Sequence, residues 1–384
     1  MIDEFKKAFA AREHAGISSR TSLPLMMLQA APIALSLSGR ARPPLTLYWS
    51  VNSVCNLRCK MCDVGSANPE SNFFANLRID GKLREIPIDR FKSVIDEVAP
   101  SRPMVAITST EPLMYKPLPE AIAHCTERGL ETTVTTGGYL LPQRAEDLAV
   151  AGLTRLAVSI DGPPTIHNEI RGRKDSFERS TEGIRKFREA SRVRGHKSEV
   201  LVSFTVTNMN FGALVDFYKA VKDSGADRVN FTYMNFVTPE LAEAHNAVWG
   251  DKYRATVNCL NEDTNPARVD VDLLHSQIQE VKALDADRRL ATFQPDWSKE
   301  DLHKFFHSPN EFMSRTRCVV TWFIAEIIAS GEVIPYTRCY HVPLGNINEQ
   351  SFTQIWNGPK ARAWRQTLRR QKRFPACTRC DFAY

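Results

Sequence analysis

Three cysteines lie close together in the stretch CNLRCKMC, positions 55–62. Cys55, Cys59 and Cys62 have the spacing C-x3-C-x2-C, with no fourth cysteine beside them. A structural zinc site needs four ligands, whereas three thiolates on one loop match three irons of a 4Fe–4S cluster and leave the fourth iron open. Because an open metal position is typical of catalysis, the spacing predicts a site where a small molecule binds iron. A zinc or redox cysteine loop is the alternative.

The composition is that of an ordinary globular protein in a reducing compartment. The chain has 384 residues, of which 43% are hydrophobic and 24% charged, and its net charge of +6 is not gathered in a dense basic block. We therefore expect no nucleic-acid partner. The start, MIDEFKKAF, lacks the features of a signal peptide. This indicates a cytoplasmic protein whose nine cysteines serve metal binding or redox catalysis rather than disulfides.

An uncharged stretch near the start of the chain raises the question of membrane contact. Residues 21–39, TSLPLMMLQAAPIALSLSG, approach the length of a membrane span. Pro24, Pro32 and several serines weaken that interpretation. We therefore expect an apolar segment packed on the main domain, with contact to a lipid surface as the alternative.

The cysteine loop follows the first of six predicted strands. Strands are predicted at 45–51, 104–109, 130–136, 155–161, 199–207 and 227–234, and helices at 86–99, 117–129, 142–152, 177–192 and 211–225. This alternation predicts an α/β fold, a partial parallel (β/α)6 barrel, in which the chemistry lies at the carboxyl ends of the strands. CNLRCKMC is expected at that face.

The alternation ends near residue 238. Residues 239–263 and 270–290 have helical spacing, and TWFIAEIIASGEVIPYTRC predicts a hairpin with Ser-Gly at its turn. The predicted parts of the chain are an N-terminal apolar extension (1–44), the partial barrel (45–238), a helical extension (239–315) and a small C-terminal α+β domain (316–384).

The cysteine spacing, placed after the first strand of such a barrel, resembles the radical S-adenosylmethionine (radical SAM) superfamily over about residues 45–235. The resemblance implies that Cys55, Cys59 and Cys62 hold a 4Fe–4S cluster whose open iron is chelated by the methionine part of SAM. It also implies that the reduced cluster cleaves SAM and that a 5′-deoxyadenosyl radical abstracts hydrogen from a substrate. We therefore expect a radical SAM oxidoreductase or isomerase with a barrel lumen that excludes water.

Two further segments match the family. TSTEP (108–112) resembles its G-G-E-P segment, with Ser-Thr in place of the two glycines, and implies that Glu111 lies beside the methionine amino group. VSIDGPPTIHNEIRG (158–172) resembles the segment that begins in the fourth strand. There the resemblance implies that Ser159 contacts SAM and that Arg171 holds its carboxylate, which suits the two-pronged guanidinium. A surface ion pair is the alternative for Arg171.

The C-terminal region resembles the auxiliary-cluster domains called SPASM or twitch. The match rests on the hairpin, on GNINEQSFTQIWN (345–357) and on the last four cysteines, Cys318, Cys339, Cys377 and Cys380. Four cysteines imply the one-cluster version, in which every iron of a second 4Fe–4S cluster has a protein ligand. Such a cluster is expected to relay electrons rather than bind substrate. A structural zinc site is the alternative.

The resemblance narrows the function but leaves the substrate open. Related one-cluster enzymes act on sugars, cyclitols and other small metabolites, and the segment before the first strand is short for a peptide-recognition domain. We expect a small-molecule substrate that is oxidised or epimerised, and an electron donor such as flavodoxin or ferredoxin. A peptide-modifying radical SAM maturase and a non-enzymatic iron–sulfur electron carrier are the alternatives.

Two cysteines remain outside both predicted clusters. Cys125 lies in a predicted helix and is expected in the core. Cys259 lies beyond the sixth strand, in the part of the chain expected to cover the mouth of the barrel. Some radical SAM epimerases return a hydrogen atom to the substrate radical from a lone thiol, which makes Cys259 a candidate hydrogen donor. A small buried hydrophobic residue on a helix is the alternative.

Overall fold

The computed structural model describes residues 38–77, 81–314, 317–335 and 339–380. Most of the apolar stretch predicted at 21–39 lies outside these residues. Within them, no helix is both long enough and apolar enough to cross a membrane.

A single twisted sheet organises the described residues. Its strands are β1 (Thr46–Trp49), β2 (Met104–Ile107), β3 (Thr132–Thr136), β4 (Arg155–Ser159), β5 (Glu199–Val206), β6 (Arg228–Tyr233), β7 (Ala291–Gln294), β8 (Ile324–Ile327), β9 (Glu332–Pro335) and β10 (Gly345–Asn346). The order across the sheet is β10-β9-β8-β1-β2-β3-β4-β5-β6-β7, and all neighbours from β8 to β7 are parallel. The sheet is not closed, as a partial barrel requires.

Helices connect the strands and cover the outside of the sheet. They are α1 (Asn72–Leu77), α2 (Ile88–Val98), α3 (Leu118–Glu127), α4 (Leu141–Val150), α5 (Pro164–Arg171), α6 (Ser176–Val193), α7 (Leu214–Val221), α8 (Pro239–Trp249), α9 (Val271–Leu284), α10 (Lys299–His307), α11 (Phe352–Trp356) and α12 (Pro359–Gln371). The apolar sides of helices such as α2, α3, α4, α6 and α7 are buried with the outer face of the sheet in one core, and Cys125 on α3 is fully buried there, as predicted.

Alternation along the strands gives the sheet an apolar outer face and a lumen face of mixed polarity. In β5, Val200, Val202 and Phe204 are fully buried, whereas the alternate residues Leu201, Ser203 and Thr205 line the lumen. Because successive side chains of a strand point to opposite faces, the sequence EVLVSFTV supplies the core and the lumen from one strand. The lumen is therefore lined by polar and apolar side chains, whereas the outer face is apolar.

The predicted barrel of six strands is extended by two more parallel strands. Strand β7 pairs with β6, and β8 of the predicted hairpin pairs with β1, so the sheet runs on past the boundary predicted at residue 316. Strands β8 and β9 are antiparallel, as expected for that hairpin. At only four residues each, β7 and β8 carry too little alternation to indicate a parallel partner from sequence.

The helix predicted over 239–263 is wrong beyond Trp249, where α8 ends. Asn246 bonds both backbone groups of Ala255, so the chain folds back along α8 instead of continuing it. Two isolated antiparallel bridges, Val237 with Asn258 and Ala255 with Tyr340, then fix the returning segment. Tertiary hydrogen bonds outweigh the weak preference that the apolar spacing indicated.

Candidate active site

One cavity of about 400 Å³ lies at the carboxyl ends of the parallel strands. Every residue predicted for the SAM-cleaving site lines it: Cys55, Cys59, Cys62, Glu111, Ser159, Arg171 and Cys259. These residues come from the loops after β1 and β2, from the last residue of β4, from the end of α5 and from the segment after α8. The fold therefore brings together positions that are up to 204 residues apart in sequence.

The C-terminal end of α5 holds the cysteine loop. The amide of Arg58 donates to the carbonyl of Arg171 at 3.3 Å, and the amide of Lys60 donates to that of Ile170 at 2.9 Å. On its other side, the Lys60 carbonyl accepts from the side chain of Asn261 at 2.8 Å. Carbonyls in the last turn of a helix have no partner within the helix, so they are available to fix a neighbouring loop.

Close backbone approach places two glycines against the cysteine loop. A Cβ atom on Gly65 would lie 2.5 Å from both the nitrogen and the oxygen of Cys59. A Cβ on Gly137 would overlap the side chain of Leu57. At Gly65 the close atoms are backbone, so only glycine lets this segment meet the loop so closely, whereas at Gly137 the Leu57 side chain would have to move.

Glu111 is buried and its carboxylate has three donors. Oε1 accepts from the Leu113 amide at 3.0 Å and from the Thr136 hydroxyl at 2.7 Å, and Oε2 accepts from the Gly137 amide at 3.0 Å. Burial raises the pKa of Glu111, although these hydrogen bonds work in the opposite direction. The single bond to Oε2 leaves that oxygen able to accept again, as contact with an ammonium group would require.

Ser109 occupies a backbone position that favours glycine. Its φ is 83°, in the left-handed region, where related sequences carry glycine. Its hydroxyl donates to Glu326 of β8 at 3.1 Å, and Ser50 donates to the same oxygen at 2.9 Å. This contact holds the strained turn and ties the loop after β2 to the C-terminal hairpin.

Arg171 contacts the cysteine loop directly rather than the surface, so the ion-pair alternative at an exposed position does not hold. Nη1 donates to Sγ of Cys59 at 3.6 Å, Nη2 forms an ion pair with Asp161, and Nε has no hydrogen-bond partner. Arg171 is 8% exposed and Asp161 is fully buried. Burial disfavours the charge of Arg171, but Asp161 and Cys59 raise its pKa, so the guanidinium stays charged.

Cys259 lies on a loop beside the cysteine loop, not on a helix. Its amide donates to both carboxylate oxygens of Asp63, at 3.1 and 3.2 Å, and Asp63 also accepts from the Ser71 hydroxyl at 2.6 Å. The backbone of Cys259 has φ 54°, a left-handed conformation that is costly for a residue with a side chain. Asp63 therefore holds a strained residue at the wall of the cavity, next to Cys62.

The three loop thiols form a set suited to a positively charged centre. Burial, with smaller contributions from Glu111 and the neighbouring cysteines, raises the pKa of Cys55 to about 12, and burial raises that of Cys59 to about 11. Thiols that repel one another's charge become thiolates only when a cation binds, as iron does in a cluster. No three Cys, His, Asp or Glu side chains among the described residues converge as a single metal ion would require. Three thiols on one loop beside a cavity are the donor set that a 4Fe–4S cluster with one open iron requires.

The C-terminal cysteines form a second group around Tyr340. The Tyr340 hydroxyl lies 3.4 Å from Sγ of Cys377, and burial together with the nearby thiols Cys377, Cys339 and Cys318 raises its pKa. Burial raises the pKa of Cys318 to about 12. Cys380 follows Cys377 after one turn of chain and is partly buried. Three of the four thiols therefore lie near one buried hydroxyl.

A short structural bridge joins the two cysteine groups. The backbone N–H of Asn72, a residue that follows the cysteine loop, donates to Oγ1 of Thr256 at 2.8 Å. Its side chain donates to the carbonyl of Cys339 at 3.1 Å. The Thr256 amide donates to the same carbonyl at 3.3 Å. The residues that lead to Cys259 therefore lie between the two groups.

Below the loops, the lumen is lined by both polar and apolar side chains. Hydroxyl and amide side chains face it from neighbouring strands: Thr108, Thr133, Thr135, Ser159, Ser203, Thr205, Asn230, Thr232, Thr292 and Gln294. The apolar side chains of Tyr48, Met104, Ala106, Ala157 and Leu201 line the same space. At the amino-terminal ends of the strands, Glu199 accepts from Arg155 at 2.6 Å and from Arg228 at 3.0 Å. The lumen thus presents many hydrogen-bonding groups and ends in a cluster with one more positive than negative charge.

Comparisons with known proteins identify both parts of the chain. Residues 49–218 match the model of the radical SAM superfamily, and residues 318–381 match the SPASM iron–sulfur cluster-binding domain. An AdoMet-dependent heme synthase of Methanosarcina barkeri is 25% identical over 82% of this chain and 82% of its own length. A GTP 3′,8-cyclase of Helicobacter pylori is 31% identical over 49% of this chain and 54% of its own length.

Solved structures show the same fold. SuiB of Streptococcus suis, in a crystal structure with bound S-adenosylmethionine, has a TM-score of 0.58 at 16% identity and covers 94% of this chain and 78% of its own. An anSMEcpe structure with AdoMet and a peptide has a TM-score of 0.55 at 17% identity, over 83% and 81% of the two chains.

The protein is a radical SAM enzyme with a C-terminal SPASM domain. The two domains imply 4Fe–4S clusters and the binding of S-adenosylmethionine, as the sequence predicted. Sequence reasoning missed Asp63, Asp161 and Tyr340, which contact the predicted site residues. Asp63 and Tyr340 each directly follow a predicted cysteine ligand, and Asp161 follows Ser159 by two residues, so proximity to a motif was the available signal.

Proposed function

We propose that Cys55, Cys59 and Cys62 hold the SAM-cleaving 4Fe–4S cluster and that Cys318, Cys339, Cys377 and Cys380 hold a single auxiliary cluster. When bound, the first cluster and SAM supply the radical that takes hydrogen from the substrate. Glu111 accepts a hydrogen bond from the methionine amino group through Oε2, and Ser159 and Arg171 contact the rest of SAM from the end of β4 and from α5. In this proposal the chain divides at residues 45, 239 and 316, with β7 and β8 of the later parts completing the sheet. A flavodoxin or ferredoxin supplies the electron.

The substrate we propose is a small polar metabolite such as a sugar or a cyclitol. The single observation that carries this proposal is the row of hydroxyl and amide groups in the lumen. Such groups recognise a molecule with many hydroxyls by hydrogen bonds, which an apolar molecule does not offer. The cavity of about 400 Å³ is small for a site that must also contain SAM, so little beyond a single small substrate fits beside it.

We propose that the outcome is epimerisation or oxidation, and that Cys259 decides between them. Its position on the cavity wall next to Cys62 supports a role as hydrogen donor to the substrate radical. Transfer of the thiol hydrogen to the opposite face of the substrate inverts the centre and leaves a thiyl radical on Cys259, which one electron from the flavodoxin or ferredoxin and one proton from solvent would return to the thiol. If instead the substrate radical gives up one electron, for which the auxiliary cluster would be the acceptor, and one proton to solvent, the product is a ketone.

A tetrapyrrole substrate is the second candidate. The observation that favours it is the alignment with an AdoMet-dependent heme synthase over 82% of both chains. Given the size of the cavity, only one substituent of the macrocycle would enter the lumen. A peptide substrate would likewise place only one side chain in the lumen.

The test is substrate-dependent SAM cleavage. The reconstituted enzyme is incubated without oxygen with SAM, dithionite and, in turn, sugars and cyclitols, iron porphyrins, and short peptides, and 5′-deoxyadenosine and product masses are measured. We expect stimulation by a polyol, with either a product two hydrogens lighter or one of unchanged mass that carries a single solvent-derived deuterium. Stimulation by porphyrins alone or peptides alone would replace the proposed substrate. Absence of any SAM cleavage would remove the assignment of the loop cysteines.

A further inference from the structure

We propose that Arg171, held by Asp161, tunes the reduction potential of the SAM-cleaving cluster by donating a charged hydrogen bond to the Cys59 thiolate. The inference depends on the proposed function, because it takes Cys59 as a cluster ligand. It gives Arg171 a positioning and tuning role in addition to contact with SAM.

The geometry separates the three edges of the guanidinium. Nη1 is directed at Sγ of Cys59, 3.6 Å away, and Nη2 is paired with Asp161. Nε is buried, lies within the described part of the chain without a hydrogen-bond partner, and belongs to a side chain that lines the cavity. One donor therefore contacts a predicted cluster ligand, while a different donor is available for SAM.

Asp161 is fixed so that it can hold this arrangement. It is fully buried, and its Oδ1 accepts from the amide of Thr205 at 3.0 Å. Its own amide donates to Nδ1 of His167 at 3.0 Å, and its carbonyl accepts from Asn210 at 2.9 Å. A carboxylate anchored by three neighbouring segments leaves the paired guanidinium little freedom to turn away from Cys59.

The backbone of α5 fixes the other side of the contact. The carbonyls of Ile170 and Arg171 accept from the amides of Lys60 and Arg58, the residues on either side of Cys59. The sulfur and the guanidinium are thus held by one rigid unit. Because the contact is buried, solvent screens it little, and it has the strength of a charge-assisted hydrogen bond.

The direction of the effect follows from charge. Reduction adds an electron to the cluster, and a positive group on a ligand sulfur stabilises the reduced state, which makes the potential less negative. The carboxylate of Asp161 opposes this effect and limits it. Removing the guanidinium charge should therefore shift the potential one way, and removing the carboxylate charge should shift it the other way. If Arg171 and Asp161 had a purely structural role, the two substitutions would not shift the potential in opposite directions.

The experiment is a redox titration of the complete enzyme monitored by electron paramagnetic resonance, first without SAM. The cluster with the open iron is identified as the one whose signal changes when SAM is added. We expect a more negative midpoint potential in Arg171→Gln, a smaller shift in Arg171→Lys, and a less negative midpoint in Asp161→Asn. The matched control is Arg173→Gln, since Arg173 donates to the Asn56 carbonyl at 3.0 Å but has no hydrogen bond to a cysteine sulfur; it should not move the midpoint.

The outcomes separate the inference from the proposed function. If no cluster responds to SAM in the wild type, the proposed function fails. If a SAM-responsive cluster is present but neither Arg171→Gln nor Asp161→Asn shifts its midpoint, the inference is overturned, and weaker SAM binding in calorimetry would then assign Arg171 to SAM alone. If Arg171→Gln does not load a cluster, the test is the midpoint potential of Asp161→Asn. A midpoint more negative than that of the wild type then overturns the inference.

Discussion

The two cysteine groups differ in what surrounds the sulfurs. The loop group lies on a cavity wall and receives a charged donor, Arg171, which is paired with Asp161. The C-terminal group is packed inside aromatic side chains, and its contact to Cys377 comes from the neutral hydroxyl of Tyr340. Tyr340 is itself in contact with the rings of Trp364 and Phe374.

The difference indicates how one chain can keep two similar clusters in different roles. An open iron position needs a cavity for SAM. Because SAM is charged, charged side chains line that cavity, and they lie close to the cysteine ligands. A closed cluster needs no ligand site, so aromatic side chains can pack close to its sulfurs, although the charge of Arg373 also acts on Cys318 and Cys377, against the burial that raises the pKa of both thiols. Access, net charge and hydrogen bonds to sulfur together set the potential of an iron–sulfur cluster, and the two groups differ in access and in the hydrogen-bond donor to sulfur.

The largest expected effect comes from removing each group of thiols in turn. Replacing Cys55, Cys59 and Cys62 with Ala should abolish 5′-deoxyadenosine release and lower the iron content from about eight to about four atoms per chain, if each centre is a cubane. Replacing the four C-terminal cysteines should cause a similar loss of iron but leave the open, SAM-binding site. Iron and sulfide analysis with a SAM-cleavage assay makes the measurement. Wild-type-like SAM cleavage by the first variant would reverse the two roles.

Gly65→Ala should disturb the loop cysteines and leave the C-terminal cysteines unaffected. The added Cβ would lie 2.5 Å from the backbone nitrogen and oxygen of Cys59, so the cysteine loop must move. We expect loss of the loop cluster, about half of the iron, while the C-terminal cluster remains. The control is Gly195→Ala, where a Cβ meets nothing within 4 Å and the positive φ of 70° costs about 1 kcal/mol of folding free energy. Full cluster content in Gly65→Ala would show that the loop tolerates displacement.

Cys259→Ala should affect product formation and leave both clusters intact. If the thiol returns hydrogen to the substrate radical, the variant still cleaves SAM but forms at least about tenfold less inverted product, a loss equivalent to about 1.4 kcal/mol in the barrier. The control is Cys125→Ala, a buried thiol on α3 in the helical layer. Product analysis in D2O completes the test. Normal turnover by Cys259→Ala would leave oxidation through the auxiliary cluster as the outcome.

The smallest expected effect is at the closed site. Tyr340→Phe removes the hydroxyl from Cys377, so the midpoint potential of the auxiliary cluster should become more negative by an amount on the order of tens of millivolts. The SAM-responsive cluster should be unchanged. The control is Tyr218→Phe, which removes a buried hydroxyl that bonds Asp285 at 2.6 Å, far from any cysteine in sequence. Equal shifts in both variants would show that the effect is not due to the hydrogen bond to sulfur.

The parts of the fold that sequence predicted best are those with strong local patterns. Each of the six strands after residue 45 was located to within a few residues, because alternating or continuous apolar runs are bounded by helices with clear polar faces. The segment 250–263 was predicted wrongly as helix, because the apolar spacing there is accidental and side-chain bonds such as those of Asn246 decide the path of the chain. Short strands such as β7 offer too few residues for any pattern to show.

By itself, the sequence determined the kind of chemistry. The spacing of Cys55, Cys59 and Cys62 limits which metal centre the loop can hold, because ligand number and separation along a short loop are local properties. Only the tertiary structure decided which distant groups meet that loop: Asp63 reaches Cys259, and Arg171 and Asp161 reach Cys59. Contacts between segments that are far apart in sequence depend on how strands and helices pack, and no local pattern encodes them.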